Sequence, residues 1–231
     1  MSDSARLFAE QGFIVVPRLL DAGEVPGIKE EIGRILSAAG PGVAETGVFV
    51  GLAASSAALR ALAADARILD VLEPLIGPDI EFLSDKVVYK SAATAYGSPW
   101  HQDWPYWKGA HKLSVWIALD RATPENGCLK LLPASHRTVA EHTGAIAAGA
   151  VPAFVHRLDE DAVDESQAVT APLEPGGAVV FHDLLLHASH PNRSGADRWA
   201  LISTYRSAAE ADLDYEWSVA AAVVRGERRA P

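Results

Sequence analysis

From residue 80 onward the chain consists of short segments with the composition of β-strands, separated by turns. Residues 112–120 alternate most cleanly: the odd-numbered side chains from 113 to 119 are all aliphatic, whereas Ser114, Trp116 and Ala118 fall between them. Because successive side chains of a strand point to opposite faces, this pattern predicts a strand with two distinct faces. Further strands are predicted at Ile80–Lys90 and at residues 128–132, 178–181, 184–189 and 198–206.

The first 76 residues have the spacing of amphipathic helices. Helices are predicted over residues 4–11, 22–38 and 55–76, with a strand at 12–17. Asp21 is a suitable N-cap for the second helix, which Gly40-Pro41-Gly42 ends, and Ser55 or Ser56 for the third. Residues 140–168 are polar or small and are predicted to form a long loop with some helix. Helices followed by short strands indicate a mainly β protein with a helical flank (α+β), an antiparallel sandwich or barrel, forming one domain over residues 1–231.

Composition narrows the classes of partner. The net charge of −10 argues against nucleic acid, whose binding depends on a basic surface. The same charge either favours cationic substrates such as amines or only maintains solubility. No apolar run is long enough to cross a membrane, the start lacks the pattern of a signal peptide, and the single Cys128 cannot form an internal disulfide. We therefore expect a cytoplasmic protein that acts on a small molecule. The sequence does not indicate whether this protein is a monomer or an oligomer.

The most informative pair of polar residues is His101 and Asp103. In an extended segment, residues two apart point to the same face, so the imidazole and the carboxylate can converge on one metal ion. One later histidine would complete a two-histidine, one-carboxylate site, which is typical of non-haem Fe(II) oxygenases. The alternative is an ordinary hydrogen-bonded pair in the core.

Two histidines compete for the third ligand position, His182 and His187. Arg198 stands eleven residues after His187. If a turn at residues 191–197 closes a hairpin, His187 lies opposite Arg198 and Ser189 lies opposite Ala196, on a shared sheet face. The guanidinium could then bind a carboxylate beside the metal. His182 has no comparable partner, which favours His187, although Arg198 considered alone is better explained as a surface arginine than as an anion-binding residue.

Aromatic residues surround the predicted metal ligands. They are Trp100, Trp104, Tyr106, Trp107 and Trp116. Aromatic faces suit the apolar faces of sugars or a cationic ligand, and core packing explains about half of such residues. His111, Lys112 and Arg121 are further candidates for contact with a polar substrate.

In this arrangement of residues the chain resembles the phytanoyl-CoA dioxygenase family. The resemblance covers roughly residues 8–207 and includes His101-x-Asp103, His187 and Arg198 at plus eleven. It extends to Leu119-Asp120, Asn126-Gly127-Cys128-Leu129 and Leu132-Pro133-Ala134-Ser135-His136, which are similar to the family's "NGCL…PGSH" segment. The resemblance implies a double-stranded β-helix, a jelly-roll or cupin-like barrel, and dependence on Fe(II), 2-oxoglutarate and O2.

The resemblance also implies a role for individual residues. His101, Asp103 and His187 would hold the iron, and Arg198 with Ser189 would bind the distal carboxylate of 2-oxoglutarate. Trp107 matches an aromatic residue that lines the co-substrate pocket in some members, and Lys90 matches a family lysine whose role is not defined. The chain departs from the family at Ala134, where Gly is common, and at Ala188-Ser189-His190-Pro191, where Gly-Ser-Gly-Pro is frequent. His190 is therefore either a substrate contact or a surface imidazole.

These features predict a 2-oxoglutarate-dependent dioxygenase that oxidises an unactivated C–H bond of a small molecule, by hydroxylation or oxidative ring closure. Asp103 is intact, which disfavours halogenation, since related halogenases replace this carboxylate. The expected substrate is a bacterial natural product, for example a sugar- or aminoglycoside-type antibiotic intermediate. The alternatives are a cupin-like metal-dependent isomerase or hydrolase, which has no need of Arg198, and a non-catalytic ligand-binding barrel.

Overall fold

The computed structural model describes residues 2–39, 47–92, 97–142 and 156–229. The helices are α1 (Asp3–Gln11), α2 (Val25–Ala39), α3 (Ala57–Ala63), α4 (Ala66–Ile76) and the short α5 (Trp104–Trp107). The strands are β1 (Phe13–Val16), β2 (Val48–Val50), β3 (Ile80–Lys90), β4 (Lys112–Ala118), β5 (Leu129–Leu131), β6 (Val169–Ala171), β7 (Ala178–His182), β8 (His187–Ser189), β9 (Arg198–Ser207) and β10 (Ala222–Arg225).

The strands form two antiparallel sheets. The large sheet has seven strands in the order β1-β7-β4-β9-β3-β10, with β2 paired to the other end of β3. The small sheet has three strands in the order β6-β5-β8. The prediction of an antiparallel, strand-rich α+β protein is therefore confirmed, although β2, β6 and β10, which are short, were not predicted.

The two faces of β4 pack against different parts of the molecule, as the alternation predicts. Leu113, Val115 and Ile117 belong to the main core, together with apolar residues of α2, α3 and α4. Trp116 and Ala118 face the other way and pack in a second cluster that includes Leu129 and Leu131 of the small sheet. Because all seven residues of β4 are buried, this strand lies between the helices and the small sheet.

The single helix predicted over residues 55–76 is two helices in the structure. Ser56 caps α3, as one of the two predicted alternatives, and its side chain accepts a hydrogen bond from the Leu59 amide. The chain then leaves the helical conformation at Asp65, which has ψ of 130° and accepts a hydrogen bond from the amide of Arg67. Aspartate is favoured at the N-cap of a helix and disfavoured in a helix interior. Asp65 therefore ends one helix and begins the next, although the apolar spacing continues across it.

The predicted hairpin between residues 184–189 and 198–206 is wrong. β8 pairs with β5 in the small sheet, whereas β9 pairs with β3 and β4 in the large sheet. The turn therefore joins two sheets. Its shape is held by Asn192, whose side-chain amide donates to the carbonyl oxygens of Lys90 at 3.0 Å and Ala196 at 2.8 Å. A turn-rich segment can close a hairpin within one sheet or connect two sheets, so the sequence alone did not distinguish these two connections.

Two predicted features lie partly or wholly outside the described residues. The Gly40-Pro41-Gly42 helix end lies outside them, and so do residues 143–155 of the predicted loop. The described end of that loop contains two short 3-10 turns, Glu160–Ala162 and Glu165–Gln167. Within the described ranges, no helix combines the length and apolar character that a membrane span requires.

We predict that Asp65→Ala destabilises the protein by about 1 kcal/mol, because the first turn of α4 loses its capping acceptor. The measurement is the free energy of unfolding from denaturant titration. Asp214→Ala, at an exposed aspartate, is the matched control and should change stability by less than about 0.5 kcal/mol. Equal stability of the two variants would contradict the division of the predicted helix at Asp65.

Candidate metal centre and cavity

A cavity of about 430 Å³ is lined by residues of both sheets. The large sheet contributes side chains that share one face in register, since Ser84 pairs with Thr204, Lys86 with Ile202 and Lys90 with Arg198. The small sheet contributes Leu129, His187 and Ser189. Polar and charged residues of the large sheet therefore line the same cavity as residues of the small sheet.

His101 and His187 are brought side by side by their own backbone. Each residue donates its amide to the carbonyl oxygen of the other, at 3.1 Å from His101 and 3.0 Å from His187. The two imidazole centroids lie 4.1 Å apart, and both residues are about 5% exposed. One antiparallel bridge thus joins two histidines that are far apart in sequence.

Asp103 reaches the same point, but not for the predicted reason. It is not in an extended segment: its φ is −77° and its ψ is −32°, and it directly precedes α5. Its amide donates to the carbonyl oxygen of Asp183 at 2.9 Å, which directs the carboxylate inward. Asp103 Oδ1 lies 3.8 Å from His101 Nε2 and 4.0 Å from His187 Nε2. Convergence therefore comes from a tertiary contact.

Both imidazoles present Nε2 to the site. His101 Nδ1 lies 2.8 Å from the carbonyl oxygen of Pro99, and His187 Nδ1 lies 2.9 Å from that of Leu185. A carbonyl oxygen only accepts, so each Nδ1 carries the proton and each Nε2 has a lone pair free to bind a metal. Burial lowers the pKa of His101 to about 3 and also lowers the pKa of His187, so both rings are neutral at pH 7.

Asp103 is ionised in this setting. Burial raises the pKa of its carboxyl, but the nearby Lys86 ammonium opposes burial, and the pKa lies below its ordinary value. The Nε2–Oδ1 distances exceed those of hydrogen bonds, so the three groups surround a gap rather than form a bonded pair. Two neutral imidazoles and one carboxylate around a gap fit a divalent metal such as Fe(II).

His182 is not part of this arrangement. Its Nδ1 lies 3.0 Å from Asp183 Oδ1 and accepts a hydrogen bond from the Leu184 amide at 3.1 Å. His111 Nδ1 also lies 3.0 Å from Asp183 Oδ1, so these three residues form a separate cluster. Of the two histidines considered for the third position, the structure brings His187 to His101 and Asp103.

The opposite end of the cavity is cationic. Arg198 is 1% exposed, and its Nη2 donates to the carbonyl oxygen of Gly127 at 3.1 Å. Its guanidinium carbon lies 5.4 Å from the centroid of the Trp116 ring. Lys90, its strand partner, donates from Nζ to Ser189 Oγ at 2.8 Å. Ser189 Oγ also accepts from the Ser98 amide at 2.9 Å.

Arg198 and Lys90 are two buried cations close to each other, and this proximity affects the ionisation of Lys90. Burial, with the neighbouring charge of Arg198, lowers the pKa of Lys90 to about 7. An anion bound between them would offset both effects, because it returns counter-charge to a desolvated pair. Arg198, Lys90 and Ser189, all predicted as co-substrate residues, therefore lie together at a site suited to a carboxylate.

The predicted aromatic residues divide into two groups. Tyr106, Trp107 and Trp116 line the cavity. Trp100 does not: its Nε1 donates to Glu165 Oε1 at 2.7 Å, and its ring packs in a small core cluster. Trp104 is also outside the cavity lining and donates from Nε1 to the Gly109 carbonyl oxygen at 3.3 Å. As substrate contacts, Trp100 and Trp104 are not supported by the structure.

The remaining polar candidates have structural partners instead. Lys112 is fully buried, and its Nζ lies 2.9 Å from Asp212 Oδ2. Arg121 pairs with Glu174 on the surface at 2.9 Å. His190 is outside the cavity lining, with its Nε2 3.4 Å from Thr170 Oγ1. These residues, like His111, do not reach the cavity.

Lys86 and Trp217 are among the cavity residues that were not predicted. Lys86 lies on the same face of β3 as Lys90, four residues away, so the alternation of β3 could have identified it. Trp217 had no such signal, because it lies in an irregular segment after β9. Its ring packs against Trp107, with centroids 5.4 Å apart.

Comparison with known proteins agrees with the geometry. The family model "Phytanoyl-CoA dioxygenase (PhyH)" matches residues 8–200. A curated relative, the methylphosphonate hydroxylase of Gimesia maris, is 30% identical over 162 residues. The aligned region covers 70% of this chain and 58% of that protein, so the chain spans little more than half the length of this relative.

Solved structures with this fold include two close matches. The non-heme monooxygenase ThoJ in its apo form has a TM-score of 0.79 and 26% identity, over 97% of this chain and 84% of that chain. The epimerase SnoN, solved in complex with Fe3+, alpha ketoglutarate and nogalamycin RO, has a TM-score of 0.72 and 26% identity, over 89% of this chain and 82% of that chain.

We predict that His187→Ala weakens Fe(II) binding by at least about 100-fold, because one of three ligands is lost, whereas His182→Ala changes it by less than about threefold. Anaerobic equilibrium dialysis measures both. The two variants remove the same side chain five residues apart, so they are matched. The reverse result, with His182 needed and His187 dispensable, would contradict the proposed ligand set.

Proposed function

This chain belongs to the phytanoyl-CoA dioxygenase family, and from that premise we propose that it is an Fe(II)- and 2-oxoglutarate-dependent oxygenase of a small molecule. Iron, 2-oxoglutarate and O2 are the cofactors that this family and its solved relatives indicate. When bound, they supply O2 activation, with conversion of 2-oxoglutarate to succinate and CO2 and oxidation of an unactivated C–H bond. The protein would contribute the metal ligands, the carboxylate site and the cavity.

We assign His101, Asp103 and His187 as the iron ligands. The observation that supports this most directly is the gap between two Nε2 atoms and one carboxylate oxygen, with both Nδ1 protons directed to backbone carbonyls. Three protein ligands leave further coordination positions for the co-substrate and O2. Ser114 Oγ, 3.3 Å from Asp103 Oδ2, would help to orient the carboxylate.

We assign the cationic end of the cavity to the distal carboxylate of 2-oxoglutarate. Arg198 would provide the main contact, with Lys90 and the Ser189 hydroxyl beside it. Trp116 packs against the guanidinium and limits its movement. Trp107 is the last residue of α5 and packs against Trp217, so we propose it as a wall of the substrate region rather than of the co-substrate pocket.

We also propose the finer architecture. The two antiparallel sheets would be the halves of a double-stranded β-helix, a jelly-roll barrel in which the cavity is the interior, and residues 1–231 would form one oxygenase domain. The support is the position of the cavity, which both sheets line, and the likeness to oxygenase structures. A cytoplasmic location stays a prediction from the sequence.

We propose a natural product as the substrate, oxidised by hydroxylation or oxidative ring closure. The cavity is lined mainly by apolar groups, and Tyr106, Trp107 and Trp217 offer flat faces suited to a carbocycle or to the apolar face of a sugar. SnoN, which has a similar fold, was solved with nogalamycin RO. An aminoglycoside is less well supported than a neutral sugar, because Lys86 would repel its ammonium groups.

The alternative reactions make different use of the cationic end. A metal-dependent isomerase or hydrolase needs the three ligands but not Arg198 and Lys90, and a binding protein needs neither set to be complete. Formation of succinate from 2-oxoglutarate, dependent on both Fe(II) and O2, separates the three. We expect it from this protein. Metal binding without any succinate, in the presence of O2, would contradict the oxygenase assignment.

We predict that Arg198→Met raises the Kd of 2-oxoglutarate by about 100-fold, since two charge-assisted hydrogen bonds are lost at about 1.5 kcal/mol each. Calorimetric titration of the Ni(II)-loaded protein measures this without turnover. Arg121→Met, at an exposed arginine paired with Glu174, is the control and should leave the Kd unchanged. An unchanged Kd in Arg198→Met would remove the carboxylate assignment.

We predict that the affinity for 2-oxoglutarate falls as the pH rises above about 7. The pKa of Lys90 is about 7 in the free protein, so the charged form that attracts the carboxylate is lost above this pH. The bound dianion raises that pKa, and the affinity therefore falls by at most tenfold per pH unit. Titrations of the metal-saturated protein from pH 6 to 9 test this. Lys90→Met should bind more weakly and with a flat profile, and a flat profile in the unmodified protein would contradict the prediction.

A further inference from the structure

Lys86 lines the cavity next to the proposed metal ligands. Its Nζ lies 3.9 Å from Asp103 Oδ1, which is too long for a hydrogen bond. Within the described ranges, Asp103 is the acidic residue that lies within ion-pair distance of this ammonium. The side chain is 29% exposed, and its strand neighbours are apolar, Val50 on one side and Ile202 on the other. An ammonium on an apolar wall, facing a cavity, is suited to hold an anion.

The anion that Lys86 faces is distinct from the distal carboxylate of 2-oxoglutarate. Lys86 and Lys90 lie on the same face of β3, four residues apart, so their Cα atoms are separated by about 13 Å. Arg198 pairs with Lys90 at the far end, whereas Lys86 lies beside Asp103. The cavity therefore has two separate cationic positions, one at Lys86 beside Asp103 and one at Lys90 and Arg198.

Part of the wall of the same cavity is aromatic and firmly held. Trp107 and Trp217 both line the cavity, with ring centroids 5.4 Å apart, and Tyr215 packs on Trp217 at 5.1 Å. Tyr215 donates its hydroxyl to Asp212 Oδ1 at 2.6 Å, and Lys112 donates to Asp212 Oδ2 at 2.9 Å. Two flat faces are thus fixed in place before any ligand arrives, which reduces the entropy lost on binding.

We propose that the substrate carries an anionic group, a carboxylate or a phosphate-type oxyanion, which Lys86 binds beside Asp103, and a flat apolar part that lies against Trp107 and Trp217. This inference rests on the proposed function, because it names the substrate class of the same site. Lys86 sets the selectivity for charge, and Trp217 contributes affinity for the apolar part. The reacting C–H bond then lies between the two contacts, next to the metal ligands.

The test uses the full chain loaded with Ni(II) and saturated with 2-oxoglutarate, so that the cationic end near Arg198 is filled. Four probes share one ring system: 2-naphthylacetate, 2-naphthyl phosphate, the neutral 2-naphthylacetamide and the cationic 2-naphthylethylamine. By calorimetry, the Kd of at least one anionic probe should be about tenfold lower than the Kd of the amide. The amine should have the highest Kd of the four. Which anion binds more tightly identifies the group.

The variants then assign the preference to individual residues. Lys86→Met should reduce the ratio of anion to amide affinity to about one, whereas Lys86→Arg should keep most of the preference for the anion. Trp217→Ala should weaken the binding of all four probes by a similar factor, so that the ratio of anion to amide affinity stays as in the unmodified protein. Lys130→Met is the matched control, because Lys130 pairs with Glu165 and lies over Trp100, outside the cavity lining.

Two results would overturn the proposal. They are equal binding of anion and amide by the unmodified protein, and an unchanged ratio of anion to amide affinity in Lys86→Met. If that unchanged ratio comes with a loss of Ni(II) or 2-oxoglutarate affinity, Lys86 is a positioning residue for Asp103 or a co-substrate contact. Succinate formation is measured separately, so failure of the oxygenase assignment is distinguishable from failure of the anion site.

Discussion

The two backbone hydrogen bonds between His101 and His187 are the contact on which the site depends. They join the segment before α5 to β8 of the small sheet, and they fix the separation of the two rings without any side-chain contribution. Because the amides and carbonyls are saturated in the bridge, the imidazoles are directed by the strand geometry itself. The same pairing places Ser189, two residues further along β8, at the cationic end of the cavity.

Asp183 organises the other half of the site. Its carbonyl oxygen accepts the amides of Asp103 and Trp104, which starts α5 and turns the Asp103 carboxylate inward. Its own carboxylate is fully buried, accepts from the Lys112 amide and from Trp107 Nε1, and lies 3.0 Å from His111 Nδ1. Burial opposes ionisation, yet the hydrogen bonds from histidine and tryptophan lower the pKa of Asp183 to about 2. One anion therefore positions both a proposed ligand and a wall of the cavity.

The charge of the cavity differs from that of the whole chain. The protein carries a net charge of −10, but Lys86, Lys90 and Arg198 all face the cavity. Net charge reports on the surface and on long-range attraction, whereas binding depends on the few charges that are desolvated beside the ligand. The net charge of the chain, which either favours cationic substrates or only maintains solubility, therefore does not conflict with the anionic substrate that we propose.

The sequence determined most of the local structure and indicated the candidate site residues. Alternation located β4, residue composition located β3, and the spacing of His101, Asp103, His187 and Arg198 indicated the chemistry, because ligand type and strand pattern are local properties. Only the tertiary structure decided which segments pair. It replaced the predicted hairpin by a connection between two sheets, brought Asp103 inward through Asp183, and excluded Trp100 and Trp104 from the cavity while adding Lys86 and Trp217. Pairing between distant strands depends on burial of whole faces at once, which no single segment encodes.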